Sequence, residues 1–385
     1  MQKHAERLAG LGTTIFTEMT ALAQRTGAIN LGQGFPDSDG PHVVIEAAIA
    51  ALNAGANQYA PLPGVPALRD AVLRHQREHY ALEPEDVLVT FGATEAIAAA
   101  ILGLTNPGDE VIVFEPHYDS YGACIAFAGA YKRVVTLRPP EFALVPEQLR
   151  AAAERANGRA RVLLWNSPHN PTGRVFSREE LQAVADICIE HDLVCVTDEV
   201  YEHLVFDGEH VPLATLPGMA QRTLTISSVG KSFSFTGWKI GWCSGPAELV
   251  RSVRTVKQFL TFAGGTPLQH AAAAALMLGP EPLAQLRDGL RANRDALAQA
   301  IAAAGWRPLI PAGTYFINAD VGTEAVAFCA QLPERCGVVA IPTSVFYDDK
   351  SAGANLVRFA FCKRPEVIAE AAGRLARGAN LDSWQ

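Results

Sequence analysis

RVLLWNSPHNPTGRVFSREELQAVADICIEHDLVCVTDEVY (161–201) decides the fold class of this chain. RVLLWNSP (161–168) is a short apolar, β-rich run that ends in a polar, proline-broken turn. SREELQAVADICIEHD (177–192) follows as a capped helix, and LVCVTDE (193–199) is a second strand. A strand, a helix and a strand in that order describe a parallel crossover, whose sheet is covered by helices on both faces.

The same alternation extends outward. Upstream are VLVTF (87–91), the helical run ATEAIAAAILGL, the turn NPGD (106–109) and EVIVF (110–114). A helical stretch over 118–129 and a strand over 132–137 come next, and TLTISSV (223–229) is the strand downstream of the opening segment. Helices are expected over 41–54, with proline at its first position, and over 66–80. The alanine-rich stretches 151–160 and 271–275 read as ordinary helix. The first 30 residues read as an arm with one short helix, ending at the loop LGQGFPD (31–37). From about 281 the pattern changes: an alanine-rich helix (281–304) leads into GWRPLIPAGTYFINAD and a mixed tail. The expected class is therefore α/β, with a large domain around a mostly parallel sheet and a smaller α+β domain. The expected boundaries are 1–40 for the arm and part of the small domain, 41–282 for the large domain and 283–385 for the remainder of the small one.

Bulk properties exclude several classes. The chain has 385 residues, 19% charged, with a formal net charge of −8. An acidic chain has no general attraction for phosphate backbones or anionic lipid, so neither nucleic acid nor a membrane is an expected partner. The start, MQKHAERLAGLGTTIF, lacks the apolar stretch of a secretory signal. The longest apolar runs, such as AIAAAILGL (96–104), are about half of the roughly 20 residues a membrane span needs. Seven scattered cysteines, with no CxxC pair, argue against a disulfide framework and a structural zinc site, and they fit a reducing cytoplasm.

The chemistry gathers after the strands, which is where ligands sit in a parallel α/β sheet. Gly92-Ala93-Thr94 follows VLVTF, Tyr118 follows EVIVF, and NSPHNPTG (166–173) follows RVLLW. Asp198-Glu199-Val200-Tyr201 follows LVCVT, and Ser228-Val229-Gly230-Lys231 follows TLTIS. Five such turns at one end of one sheet describe a cleft. Lys231 stands in SSVGKSFSFTGWKIGW (227–242), an apolar, aromatic setting with little charge. Desolvation there depresses a lysine pKa, as an imine-forming amine requires. Asp198 and Glu199 end one strand and point to opposite faces. A carboxylate in the cleft can keep a pyridinium nitrogen protonated as an electron sink. The Gly92-Ala93-Thr94 turn opens a helix whose free N–H groups attract phosphate, with Ser228 and Lys239 as further donors.

Other motifs carry less. HQREH (75–79) fits the H-x-x-E-H metalloprotease pattern, but its helix is dotted with arginines and no third ligand is evident, so it reads as a solvated helix face. Gly230-Lys231-Ser232 matches the tail of a P-loop, but Thr225 stands where the first glycine is required.

Together these residues resemble the fold-type I, class I/II pyridoxal-phosphate (PLP) aminotransferases. The branch they resemble most contains kynurenine aminotransferase, glutamine transaminase and methionine aminotransferase. The resemblance runs from TIFTEMTALA and INLGQGFPD, through NQYAPLPGVPALRDAV, FGATEAI, NPGDEVIVFEPHYDSY, NSPHNPTGRVFS and VTDEVYEHLVFDG, to SSVGKSFSFTGWKIGW and LVRFAFCK (356–363). It implies that Lys231 carries the cofactor and shuttles the substrate proton, and that Asp198 pairs with the pyridine nitrogen. It implies that Asn170 and Tyr201 hydrogen-bond the ring's phenolic oxygen and that Tyr118 stacks on the ring, with Tyr121 as a competitor for that place. Ala93, Thr94, Ser228 and Lys239 would hold the phosphate, and Tyr59 would reach it from a neighbouring subunit of a homodimer with composite sites. Arg358 would clamp the substrate carboxylate through its fork, with Gly34 and Asn170 beside it. The implied reaction moves an amino group from a neutral sulfur-containing or aromatic amino acid to a 2-oxo acid. A second arginine for a dicarboxylate does not stand out near FLTFAGGTP (259–267). A lyase acting on cysteine S-conjugates shares the same machinery. A non-catalytic ligand-sensing relative is disfavoured by the intact lysine, aspartate and arginine.

Overall fold

A computed structural model describes residues 5–12, 14–155 and 158–378. The strands, in chain order, are β1 (Ile29–Asn30), β2 (Asp86–Thr90), β3 (Glu110–Glu115), β4 (Tyr131–Thr136), β5 (Ala160–Asn166), β6 (Val194–Asp198) and β7 (Thr223–Ser228). They continue with β8 (Gly241–Gly245), β9 (Arg307–Leu309), β10 (Phe316–Asp320), β11 (Val338–Val339), β12 (Ile341–Pro342) and β13 (Leu356–Ala360). The helices are α1 (Ile15–Thr26), α2 (His42–Asn53), α3 (Pro66–Tyr80), α4 (Gly92–Leu104), α5 (Asp119–Phe127), α6 (Pro146–Arg155) and α7 (Arg178–Glu190). After them come α8 (Val229–Ser232), α9 (Ala247–Leu260), α10 (Thr266–Leu276), α11 (Pro280–Ala303), α12 (Ala325–Cys336) and α13 (Pro365–Gly378).

The main sheet has seven strands in the order β2-β8-β7-β6-β5-β3-β4. β7, β6, β5, β3 and β4 pair in parallel, whereas β8 runs antiparallel to both β7 and β2. The expected α/β class with a mostly parallel sheet is thus found. The strands of its centre are buried on both faces. On one face Trp165, Leu163 and Cys195 pack against Leu149 of α6 and Leu181, Val184 and Cys188 of α7. On the other, Val113, Leu164 and Val196 pack against Ala96 and Ile97 of α4, Ile125 of α5 and Val250 and Val253 of α9. Helix α7 starts where the sequence says it must: Ser177 and Glu180 cap each other's backbone N–H groups.

Two expectations need correction. Residues 151–160 are not one helix: α6 ends at Arg155 and β5 begins at Ala160. β8 was not expected as a strand, because GWCSG is short and glycine-flanked and lacks a β-branched run.

A second, four-stranded antiparallel sheet has the order β12-β13-β10-β9 and packs on α11, α12 and α13. The β1 strand of the N-terminal arm pairs in parallel with β11, so this part of the arm joins the C-terminal layer. That connection carries the loop 31–37 across to the carboxyl ends of the main sheet, where Gly34 meets Lys231.

Candidate active site

The loops beyond β2, β3, β5, β6 and β7 meet the N-terminal arm and the second sheet around a cavity of about 510 Å³. Ala93, Thr94, Tyr118, Asn170, Asp198, Tyr201, Ser228, Lys231, Lys239, Arg358 and Gly34 all line it. Every site residue named from the sequence is thus brought together except Tyr59. That ring lies on the outer surface, 78% exposed, edge-on to Phe262 at 5.4 Å.

Asp198 ends β6 with its carboxylate buried. Oδ2 accepts the Tyr121 hydroxyl at 2.7 Å and Oδ1 accepts the Val200 N–H at 3.3 Å. Burial raises its pKa, against the opposing pull of Tyr121, the Val200 N–H and the Lys231 charge. Its neighbour Glu199 turns to the other face, as strand alternation requires, and accepts from His210 at 2.9 Å. Asn166, the last residue of β5, was missed by the sequence reading. Its Nδ2 donates to the Asp198 carbonyl at 2.8 Å and its Oδ1 accepts the Asn170 N–H at 2.7 Å, so it fixes two loops at once.

Lys231 stands on the single turn of α8, directly after β7. Nζ donates to the Gly34 carbonyl at 3.3 Å, and the same oxygen accepts the Tyr315 hydroxyl at 2.6 Å. The rings of Tyr315 and Tyr201 lie 5.5 and 5.9 Å from Nζ. Loss of hydration lowers its pKa to about 8, helped by Lys239 and Arg358 and opposed by Asp198.

Also lining the cavity, Gly92 opens α4 in the left-handed region at φ 71°. The first N–H groups of a helix have no partner within it. A Cβ on Gly92 would lie 3.2 Å from Lys239 Nζ, so the lysine is folded over the start of the helix. Ser228 flanks this corner. Tyr118 forms part of the wall, while Tyr121 packs behind it, perpendicular at 5.8 Å and buried on Asp198. Of the two rings, Tyr118 is the one that faces the cavity.

Arg358 comes from β13 and is 1% exposed. Nη1 donates to Asn170 Oδ1 and Nη2 to the Gly32 carbonyl, both at 3.1 Å. Its guanidinium lies 4.0 Å from the ring centre of Phe316, 4.7 Å from Phe346 and 5.5 Å from Phe16. Nε has no hydrogen-bond partner, and Arg358 forms no ion pair among the described residues. Burial lowers its pKa to about 10, so it remains charged at neutral pH. A buried cation without an anion is costly unless a ligand supplies the charge. Phe16 and Phe316 also escaped the sequence reading. Phe16 stands in the quoted TIFTEMTALA, but nothing local marks it as a wall of the cavity.

A buried lysine of lowered pKa and a buried carboxylate, both beyond the carboxyl ends of a parallel sheet covered on both faces, are the arrangement found in the fold-type I PLP-dependent transferases. The chain belongs to the aminotransferase class I and II family, whose model matches residues 26–375. It is 50% identical to the "Probable N-succinyldiaminopimelate aminotransferase DapC" of Mycobacterium tuberculosis (strain ATCC 25618 / H37Rv), across 96% of this chain and 97% of that protein. It is 40% identical to the methionine aminotransferase of Escherichia coli (strain K12), across 96% and 97% of the two chains. Among solved structures, N-succinyldiaminopimelate aminotransferase from Mycobacterium tuberculosis superposes with a TM-score of 0.94 at 50% identity, covering 97% of this chain and 99% of that one.

PLP is the cofactor of this family, and the residues present fit it. A buried acid in the cavity wall suits a ring nitrogen, a helix start with a lysine folded over it suits a phosphate, and the lysine of lowered pKa lines the same cavity.

Proposed function

We propose that this aminotransferase takes its amino group from a neutral amino acid with a sulfur-containing or aromatic side chain, of the methionine, glutamine or kynurenine kind, and passes it to a 2-oxo acid. The observation that carries this is a count of cations. The cavity is lined by Lys231, Lys239 and Arg358 and by no other cationic side chain among the described residues. Lys231 is taken by the cofactor, Lys239 by its phosphate and Arg358 by the substrate α-carboxylate. Nothing cationic in this chain is left for a side-chain carboxylate, whereas Phe16, Phe35, Tyr118 and Phe316 offer apolar and aromatic contact.

In this reading Arg358 and Asn170 orient the amino acid so that its Cα–H points at Lys231. PLP, when bound, would supply a sink for the electrons of that bond. Lys231 Nζ would take and hold the proton from Cα, as general base and then general acid. Asp198 would keep the ring nitrogen protonated, and Tyr201 and Asn170 would hold the ring's phenolic oxygen. Ala93, Thr94 and Ser228 hold the phosphate with Lys239, and Gly34 closes the pocket over the lysine. We further propose a homodimer in which Tyr59 reaches the partner's phosphate site. The exposed cluster of Tyr59, Phe259, Leu260 and Phe262 supports a covered surface there. Seven free, buried cysteines support a reducing, cytoplasmic setting, and no helix among the described residues is long and apolar enough to cross a membrane.

The 50% identity to the relative named for N-succinyldiaminopimelate favours a second reading, in which that acylated amino acid is the donor. The absorbance of the purified holoenzyme, mixed with one amino acid at a time and no acceptor, separates the two. Conversion of the cofactor band to its amine form by methionine or kynurenine supports the first reading. Conversion by N-succinyldiaminopimelate alone replaces it with the second. Pyruvate release from a cysteine S-conjugate without an acceptor would assign the lyase instead.

A further inference from the structure

Helix α3 carries His75 and His79 one turn apart, on the face that packs toward the turn after β6. That turn brings His203 to them, two residues beyond Tyr201. The ring centres are 4.5 Å apart for His75 and His79, 4.9 Å for His75 and His203, and 5.1 Å for His79 and His203. One ring nitrogen from each lies within 4.8 Å of the other two. His75, 4% exposed, is not on the solvated face that the arginine-dotted sequence implies. His203 is the third ligand that the local pattern lacked. None of the three lines the active-site cavity.

We propose that His75, His79 and His203 form a binding site for one divalent transition-metal ion of the zinc type, separate from the site of transamination. The donor set selects the metal. Three imidazoles suit Zn²⁺, Cu²⁺ or Ni²⁺, whereas Mg²⁺ and Ca²⁺ require oxygen ligands. Zinc bound to nitrogen at about 2.0–2.1 Å in a tetrahedron separates its ligand atoms by roughly 3.4 Å. His75 Nε2 and His203 Nε2 now meet at 2.7 Å, which requires a proton between them. A metal ion takes the place of that proton, which moves to Nδ1 of the ring that donated it, spreading this pair slightly and drawing His79 in. His79 is the exposed member, near the end of α3, and its ring is the one with room to move. Its exposure leaves a fourth coordination position open to water.

Charge and surroundings agree with a cation here. The buried carboxylate of Glu202 adjoins the cluster, held by the Tyr80 hydroxyl at 2.7 Å and the Ser227 hydroxyl at 2.5 Å. Nearby anionic groups of this kind orient and balance metal-bound imidazoles. A metal here would join α3 to the segment that carries Asp198 and Tyr201, clamping two elements that converge on the cofactor cavity.

The test uses untagged holoenzyme stripped of metal and dialysed against Zn²⁺, with bound zinc measured per chain. The expected result is one saturable Zn²⁺ per chain, with affinity lowered at least tenfold by His79→Ala and by His203→Ala. Both variants should keep the PLP absorbance of the parent. His79→Gln, at an exposed position, carries the test if His203→Ala fails to fold. Absence of saturable zinc, or binding that the substitutions leave unchanged, overturns the proposal. The cofactor spectrum is read in the same samples, so a failure here is distinct from a failure of the aminotransferase reading.

Discussion

The Tyr121 hydroxyl donates a 2.7 Å hydrogen bond to Asp198 Oδ2 from behind the cavity wall. Tyr121 does not line the cavity and acts on it through Asp198, which makes it a positioning residue. Its bond opposes the rise in the Asp198 pKa that burial causes. Tyr121→Phe keeps the ring and removes the donor. Hydrogen bonds to charged groups contribute about 1.5–3 kcal/mol, so kcat/KM should fall roughly 10- to 100-fold. The visible band of the holoenzyme should also shift its pH dependence as Asp198 holds the ring nitrogen less firmly. Parent-like kinetics together with a parent-like titration would remove Tyr121 from that role.

Lys231 has a pH signature in the apoenzyme. The attacking form is the neutral amine, and its pKa is lowered to about 8. At pH 7 roughly one amine in ten is unprotonated, against about one in three thousand for an ordinary lysine. The rate of PLP capture by apoenzyme should rise about tenfold per pH unit toward pH 8 and level off above it. The sign for stability is the same. Between pH 8 and the ordinary 10.5 the unfolded chain binds more protons at this lysine than the folded one, so its contribution to folding improves as pH rises through that window. Lys231→Ala should lose this dependence in stopped-flow capture, and should lower turnover by more than about 10³-fold.

Arg358 offers a planar fork in a cage of Phe16, Phe316 and Phe346, with no anion of its own among the described residues. Arg358→Lys keeps the charge and loses the bidentate geometry. KM for the amino donor and for the 2-oxo acid should both rise roughly 10- to 100-fold, the worth of about 1.5–3 kcal/mol. A change in only one of the two would show that the substrates do not share one carboxylate clamp. Steady-state kinetics in both directions decide it.

The legible part of this site is the part written in local pattern. Strand periodicity placed Asp198, Ser228 and Tyr118 at strand ends, and the apolar, glycine-flanked setting of Lys231 is a property of adjacent residues. The illegible part depends on distant chain segments meeting. Phe316 reaches Arg358 because β10 and β13 pair, with Asn318 opposite Arg358. Phe16 arrives on α1, which no strand-end argument reaches. The choice between Tyr118 and Tyr121 turned on which ring faces the cavity, and three residues of helix do not reveal that. His75 looked solvated because its helix carries arginines, and its burial against His203 comes from the fold of a segment far along the chain. β8 was hidden for a different reason: its glycines serve close packing rather than strand propensity.

That packing supplies a final test. A Cβ on Gly241 would lie 2.7 Å from the Gly92 carbonyl carbon and 2.8 Å from the Ala93 nitrogen. Both are backbone atoms at the start of α4, so no side chain can move aside. Gly241→Ala must displace the helix start that faces Lys239 and Ser228. Overpacking of this kind costs about 1–3 kcal/mol, and the displaced N–H groups should weaken PLP binding at least tenfold. Gly289→Ala, in α11 with nothing within 4 Å of the added methyl, is the matched control. It should stabilise the chain by up to roughly 1 kcal/mol through helix propensity and leave the cofactor affinity unchanged. Equal PLP affinity in the two variants would mean that the start of α4 does not hold the phosphate.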